Sequence, residues 1–415
     1  MKIIPFSPPD IGDSEIEEVV NVLKSGWITT GPKTKEFEKE IAQYCGTNKA
    51  VCLNSATACM DLTLRLLGIG KGDEVITSAY TYTASASVIC HVGAKPVLID
   101  VAQDSYEMDY DQLSAAISPK TKAIIPVDIA GVMCDYDRIL SIVDEKKKQF
   151  APSNTIQYAL GRVCILADAA HSFGAVYKGK KSGQAADFTA FSFHAVKNLT
   201  TAEGGAVTWN EISEINSDEI YKQFMLLSLH GQSKDALAKS QVGMWEYDIV
   251  DTGYKCNMTD IMAALGLAQL RRYDEILARR HQIIELYNDG LQNQPIQLLE
   301  HERNNCKSNG HLYLTRLIGK DSSYRNAVID KMAQYGISCN VHYKPLPMHT
   351  AYKKLGFDIK HFPNAYEIYK NEITLPLHTR LTDDDVEYVI QNLIRTIDDS
   401  GEYSYGVKAL ERASR

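Results

Sequence analysis

The sequence predicts an α/β protein with a large unit on a mostly parallel central sheet and a smaller α+β unit towards the C-terminal end. Three observations predict it. Short, near-continuous apolar runs alternate with segments of helical period, the pattern of a parallel sheet covered on both faces. The length of 415 residues suits two or three domains, at about 150 residues each. A stretch of 3.6-residue period starting at Thr259 separates the strand-rich part from a tail of mixed pattern.

Composition narrows the class. Lys and Arg total 44 against 52 Asp and Glu, a net charge of −8, with 45% hydrophobic residues. That is a globular balance and not that of a protein built to hold a nucleic-acid backbone. The opening apolar run is short and interrupted by Pro5, Pro8 and Pro9, so no signal peptide is expected. No stretch reaches the ~18 apolar residues of a membrane span. The nine cysteines contain no CxxC pair, so reduced thiols in a cytoplasmic protein are expected, with no metal site.

The elements follow in order. Ser14 and Glu17 have capping-box spacing, and Gly26 closes that helix. A second helix is expected over 35–44, then a strand over 50–54. Ser55-Ala56-Thr57 opens a helix carrying Met60, Leu62, Leu64 and Leu67, and Gly68, Gly70 and Gly72 end it. Strands are expected at 74–76, 96–101, 123–127, 163–167, 188–193 and 206–209. The polar, basic segment 145–157 reads as an inserted surface loop, its lysines 146–148 a solvated face. One long helix is expected from Thr259 to about 291. Beyond it, strand patterns at 312–318 and 338–343 mix with helical ones at 324–335 and 384–396, and the last ten residues read as weakly structured.

Chemistry concentrates after the strands, where open α/β sheets bind ligands. Asp168-Ala169-Ala170-His171 follows the 163–167 strand. Lys197 follows the 188–193 strand, with Ser192 five residues before it and no charged residue between Lys197 and Glu203. A desolvated lysine loses basicity and becomes a nucleophile towards carbonyls. Asp, Ser and Lys, placed after strands, make the set a pyridoxal phosphate site requires: the lysine forms the Schiff base and the carboxylate keeps the pyridine nitrogen protonated. Ala56 and Thr57, at a helix start, offer N–H groups to a phosphate. Tyr80 and Tyr82 follow the next strand, where an aromatic can stack on a cofactor ring; taken alone, core packing is the commoner role for both. Gly68-Ile69-Gly70-Lys71-Gly72 has the wrong spacing for a dinucleotide loop and follows a helix instead of opening one.

With these residues in view the chain resembles the DegT/DnrJ/EryC1/StrS sugar aminotransferases, of the fold type I pyridoxal phosphate enzymes. The likeness runs through Gly26–Pro32, Asp168–His171, 191–205, Gly253-Tyr254, Asn257–Ile261, 263–270 and His342–Pro345. It implies a large cofactor domain over 1–258 and a linking helix with a small domain over 259–415. It implies Lys197 as the Schiff-base lysine and Asp168 as the pyridinium partner. Ser192, Ala56 and Thr57 would be phosphate ligands, Tyr82 the stacking aromatic and His171 the neighbour of the ring hydroxyl. It implies a homodimer with shared sites, in which Lys255 or Asn257 of one chain reaches the other chain's phosphate. Trp27, His342 and Tyr343 are candidate substrate contacts. The implied reaction moves an amino group from L-glutamate to a keto group of a nucleotide-linked deoxysugar. A dehydratase of the same fold, which carries His in place of the lysine, and a non-catalytic regulator are the alternatives. Departures are Ala56 where many relatives have Gly, Asp128 where many have His, and the 145–157 segment.

Overall fold

The computed structural model describes residues 2–234, 237, 246–303 and 305–397. The last ten residues, expected to be weakly structured, lie outside the described residues. The central sheet has seven strands in the order β1 (Ala50–Leu53), β9 (Gly205–Trp209), β8 (Phe188–Ser192), β5 (Cys164–Asp168), β4 (Thr121–Ile125), β2 (Glu74–Ser78) and β3 (Lys95–Ile99). β9 runs against its neighbours β1 and β8, and the remaining pairs are parallel. The carboxyl ends of β1, β2, β4, β5 and β8 therefore share one edge with the start of β9. The strands read as continuous apolar runs because both faces are covered. Leu166 packs into one buried cluster while its neighbours Ile165 and Ala167 pack into another.

The first helix, α1 (Asp13–Ser25), starts two residues earlier than its sequence suggests. Gly12 is the N-cap, and the Glu15 carboxylate accepts from the Gly12 N–H at 2.8 Å. Glu15 is fully buried and also takes hydrogen bonds from Gln269 (2.9 Å) and Arg272 Nε (2.6 Å). A buried carboxylate has to be paired, and that tertiary pairing selects Glu15 over the exposed Glu17. α2 (Pro32–Cys45) begins at a proline, and Asp260 accepts from the N–H groups of Gly31 and Thr34 at its start.

The helix expected from Thr259 to 291 is two helices, Asp260–Arg271 and Tyr273–Leu291. Thr259 does cap the first, accepting from the Met262 N–H at 3.4 Å. The break falls at Arg272, whose guanidinium binds Glu15 and the Asp10 carbonyl (2.7 Å). The 145–157 segment is also more ordered than a loop. Its second half enters the helix Thr155–Leu160, where Asn154 and Gln157 donate to the Leu66 and Leu67 carbonyls at 3.0 and 2.6 Å. These carbonyls end α3 (Ala56–Leu66) and have no acceptor role left inside the helix. Lys147 and Lys148 are exposed.

Two smaller sheets complete the fold. One joins β11 (Glu302–Arg303) and β12 (Cys306–Lys307) to β6 (Val176–Tyr177) and β7 (Lys180–Lys181). The other orders β10 (Ile296–Leu298), β13 (Tyr313–Leu317) and β14 (Glu372–Leu375). The strand expected at 338–343 does not form a ladder. Asn340 pairs with Thr374 in both directions (3.1 and 2.8 Å), and the chain then turns away as the His342 N–H reaches the Glu372 carboxylate at 2.9 Å. Ile4 packs in the C-terminal core beside Ile337. Among the described residues no helix is long and apolar enough to cross a membrane.

Candidate active site

Asp168 is the last residue of β5 and is buried. Its carboxylate accepts from the Ser85 hydroxyl at 2.6 Å and from the Ala170 N–H at 3.2 Å. Burial pushes its pKa above the ordinary value, while those two bonds and the Lys197 charge pull it back. Lys197 lies in the turn after β8 and lines a small, partly open cavity with His171, Ser192, Asn198 and His311. Loss of solvent lowers its amine to about 8, and the Asp168 charge opposes the shift. The two residues singled out by sequence thus lie at and after the ends of neighbouring parallel strands, β5 and β8, near enough for each charge to shift the other.

The start of α3 faces the same edge. Ser55 is its N-cap, and the Ser55 hydroxyl accepts from the Ala58 N–H at 3.1 Å. The N–H groups of Ala56 and Thr57 precede the first intrahelical acceptors and add to the positive end of the helix dipole. Gly205 makes this approach possible. A Cβ there would stand 2.5 Å from the Ala56 nitrogen and 2.7 Å from the Phe191 carbonyl oxygen.

His171 is buried, and its Nδ1 accepts from the Ala130 N–H at 3.2 Å. Its Nε2 lies 3.0 Å from the Tyr343 hydroxyl. Burial, followed by the Lys197 and His342 charges, holds His171 well below the usual histidine range. Burial lowers His342 to about 3; its Nδ1 is 2.9 Å from the Thr374 hydroxyl. Under the same segment Glu372 is fully buried and pushed up to about 8. Tyr82 is 60% exposed, its ring 5.9 Å from that of Tyr343. Tyr80, by contrast, is core, donating to the His342 carbonyl at 2.8 Å.

Ala56, Thr57 and Tyr82 are not among the residues lining this cavity, and Lys255, Asn257 and Trp27 stand apart from it. Lys255 and Asn257 bond each other, and Asn257 also donates to Thr30. Their segment pairs with the end of β1 in the same chain, where the Asn54 N–H donates to the Cys256 carbonyl at 2.8 Å. The Trp27 indole donates to the Thr30 carbonyl at 3.3 Å. Ser85, Ala130, His311 and Glu372 escaped the sequence reading, since none belongs to a spacing motif, and Asn198 drew no role there although it lies in the 191–205 segment. Asn198, adjacent to Lys197, was the one within reach, and its amide accepts from His311 Nδ1 at 3.0 Å.

The family model for the DegT/DnrJ/EryC1/StrS aminotransferases matches residues 9–394. The chain belongs to that family. The Bacillus subtilis spore coat polysaccharide biosynthesis protein SpsC is 39% identical, covering 94% of this chain and 95% of its own. Spr1654, a proposed sugar aminotransferase of Streptococcus pneumoniae, superposes in its PMP-form with a TM-score of 0.94 at 56% identity, over 96% of this chain and all of its own; a PLP-form is also known. Helicobacter pylori PseC, an aminotransferase of pseudoaminic acid biosynthesis, reaches a TM-score of 0.83 at 27% identity, over 96% and 100% of the chains. This protein is therefore a pyridoxal-phosphate-dependent aminotransferase of the fold type I class, and small molecules are its substrates. The residues present fit that cofactor: a buried carboxylate, an amine of lowered pKa and a glycine-lined helix start on one sheet edge.

Proposed function

We propose that this aminotransferase moves the amino group of L-glutamate onto a keto carbon of a nucleotide-linked deoxysugar, working in the cytoplasm as a homodimer with shared sites. The observation that carries the reading is the buried Asp168 carboxylate and the Lys197 amine, each acting on the other's charge from the ends of adjacent parallel strands. Pyridoxal phosphate supplies, when bound, an aldehyde that captures amines and a ring that takes up the electron pair released at carbon. Asp168 would hold the proton on the ring nitrogen, with Ser85 and Ala170 fixing the carboxylate. Ala56, Thr57 and Ser192 would take the phosphate, Tyr82 would cover the ring and His171 would stand at the ring hydroxyl. Lys197 Nζ, as a free amine, accepts the proton from the α-carbon of the amino donor and later returns one to the sugar carbon.

The exposed Trp27 loop, His342 and Tyr343 are assigned to the sugar nucleotide. The polysaccharide and pseudoaminic acid roles of SpsC and PseC support an amino-sugar product. The test is product mass spectrometry with glutamate and a panel of keto-sugar nucleotides. Amination of one panel member, lost in Lys197→Ala, is the expected result. A protein that binds the cofactor yet aminates no nucleotide-linked sugar overturns the substrate assignment.

A further inference from the structure

The Ala130 backbone reaches His171 from an unusual turn. Ala130 has φ 58° and ψ 11°, the left-handed region that side-chain-bearing residues seldom occupy, and Gly131 follows at φ 87°. The turn is tied down by Asp128. Its Oδ1 accepts from the Cys134 N–H (3.0 Å) and the Tyr136 hydroxyl (2.9 Å), and its Oδ2 accepts from the Ser172 hydroxyl (2.6 Å). On the far side Gly131 abuts Asn309, whose Oδ1 would lie 1.9 Å from any Cβ at that position.

A backbone N–H has only a proton to give, so the nitrogen it meets on His171, Nδ1, is the lone-pair nitrogen. His171 is buried among Lys197, His342 and His311, its ring centroid 4.3 Å from that of His311. A second proton there would be a charge in a desolvated place beside the Lys197 amine, and burial disfavours it first. The single ring proton is then on Nε2, and it is donated to the Tyr343 oxygen at 3.0 Å. With its oxygen accepting from His171, the Tyr343 hydroxyl proton has to point elsewhere.

We infer that the 128–131 turn is a positioning element: Ala130 fixes the His171 proton on Nε2, and His171 thereby makes Tyr343 an obligate hydrogen-bond donor towards an acceptor oxygen of the bound substrate or cofactor. The group Tyr343 meets is an anionic or carbonyl oxygen. The inference rests on the reading of the Lys197 cavity as the reaction site. Asp128 and Ala130 act through His171 and need touch no ligand.

The test begins with holoenzyme labelled with ¹⁵N-histidine, the His171 signals being assigned by their absence in His171→Gln. A proton on Nε2 is expected; a proton on Nδ1 overturns the proposal. Kinetics then read the coupling. His171→Leu and Tyr343→Phe each lower kcat/KM by about ten- to a hundredfold, the size of one hydrogen bond to a charged or strongly polar oxygen, and the double variant falls no further. In His171→Gln the amide carbonyl takes the Ala130 N–H and its NH2 donates to Tyr343, recovering about tenfold of the loss seen with Leu. Losses that multiply in the double variant, or no recovery with Gln, overturn the coupling. Absorbance of the cofactor bound at Lys197 reports the reaction-site reading separately, so its failure is distinguishable from that of the tautomer assignment.

Discussion

Lys197 and Asp168 modify each other at the carboxyl edge of the central sheet. Burial lowers the amine to about 8 and raises the carboxyl, and each charge opposes the shift of its partner. The sign of the pH effect follows. An amine titrating near 8 is about one-tenth neutral at pH 7, whereas an ordinary lysine is neutral well below one part in a thousand. Capture of pyridoxal phosphate by apoenzyme is expected to speed up as pH rises from 6 and to level off above about 8, measured by stopped-flow absorbance. A rate still climbing at pH 10 would place the amine in solvent. Borohydride is expected to fix the cofactor to Lys197, while Lys197→Ala holds it only non-covalently and does not turn over; a labelled peptide elsewhere sinks the assignment. Asp168→Asn is expected to lose at least a hundredfold in kcat while changing Tm by a few degrees at most. An amide cannot hold the ring nitrogen protonated, yet it keeps an acceptor for Ser85. Near-normal turnover in this variant would show that Asp168 is not the ring partner.

Elements place those residues, and the glycine after Glu203-Gly204 shows how. The start of α3 comes so close to β9 that only hydrogen fits on the Gly205 α-carbon. Gly205→Ala is expected to push the Ala56 and Thr57 N–H groups out of line, weakening cofactor affinity tenfold or more. A stability loss of about 1–3 kcal/mol is expected beside it, the usual size of overpacking. Equilibrium dialysis with pyridoxal phosphate and urea unfolding check the two effects, and an unchanged Kd would separate Gly205 from the phosphate cradle. The helices also mark where local pattern stops deciding. The 3.6-residue period runs through Arg272 unbroken, yet the chain breaks there because the guanidinium is held by Glu15 and Asp10. The same pairing moved the cap of α1 from Ser14 to Gly12. Periodicity reports which face is apolar and carries no record of a partner more than 250 positions away.

At the scale of the molecule, the segment carrying Lys255 and Asn257 lies against its own β1, beside Ser55, and does not line the Lys197 cavity of the same chain. We propose that it serves the partner chain. Lys197→Ala and Asn257→Asp, each impaired alone, are then expected to recover part of the activity when mixed and refolded, because one of the two sites in a mixed dimer carries neither lesion. Lys255→Ala replaces Asn257→Asp if the latter is active alone. Light scattering showing a monomer refutes the dimer. Mixed dimers without recovery, from two inactive variants, refute the shared site.

The sequence by itself determined the α/β class and the seven strands of the central sheet, and it pointed to the Asp168, Ser192 and Lys197 set. Strand ends converge on one edge of a parallel sheet, so a residue placed after an apolar run is already placed in the site. Only the tertiary structure decided how that set is supported. Ser85 reaches Asp168 across 83 positions, Ala130 meets His171 through a backbone N–H that any non-proline residue would offer, and Tyr343 arrives from 172 positions away. Such contacts depend on where the backbone passes, and residue type alone does not encode that.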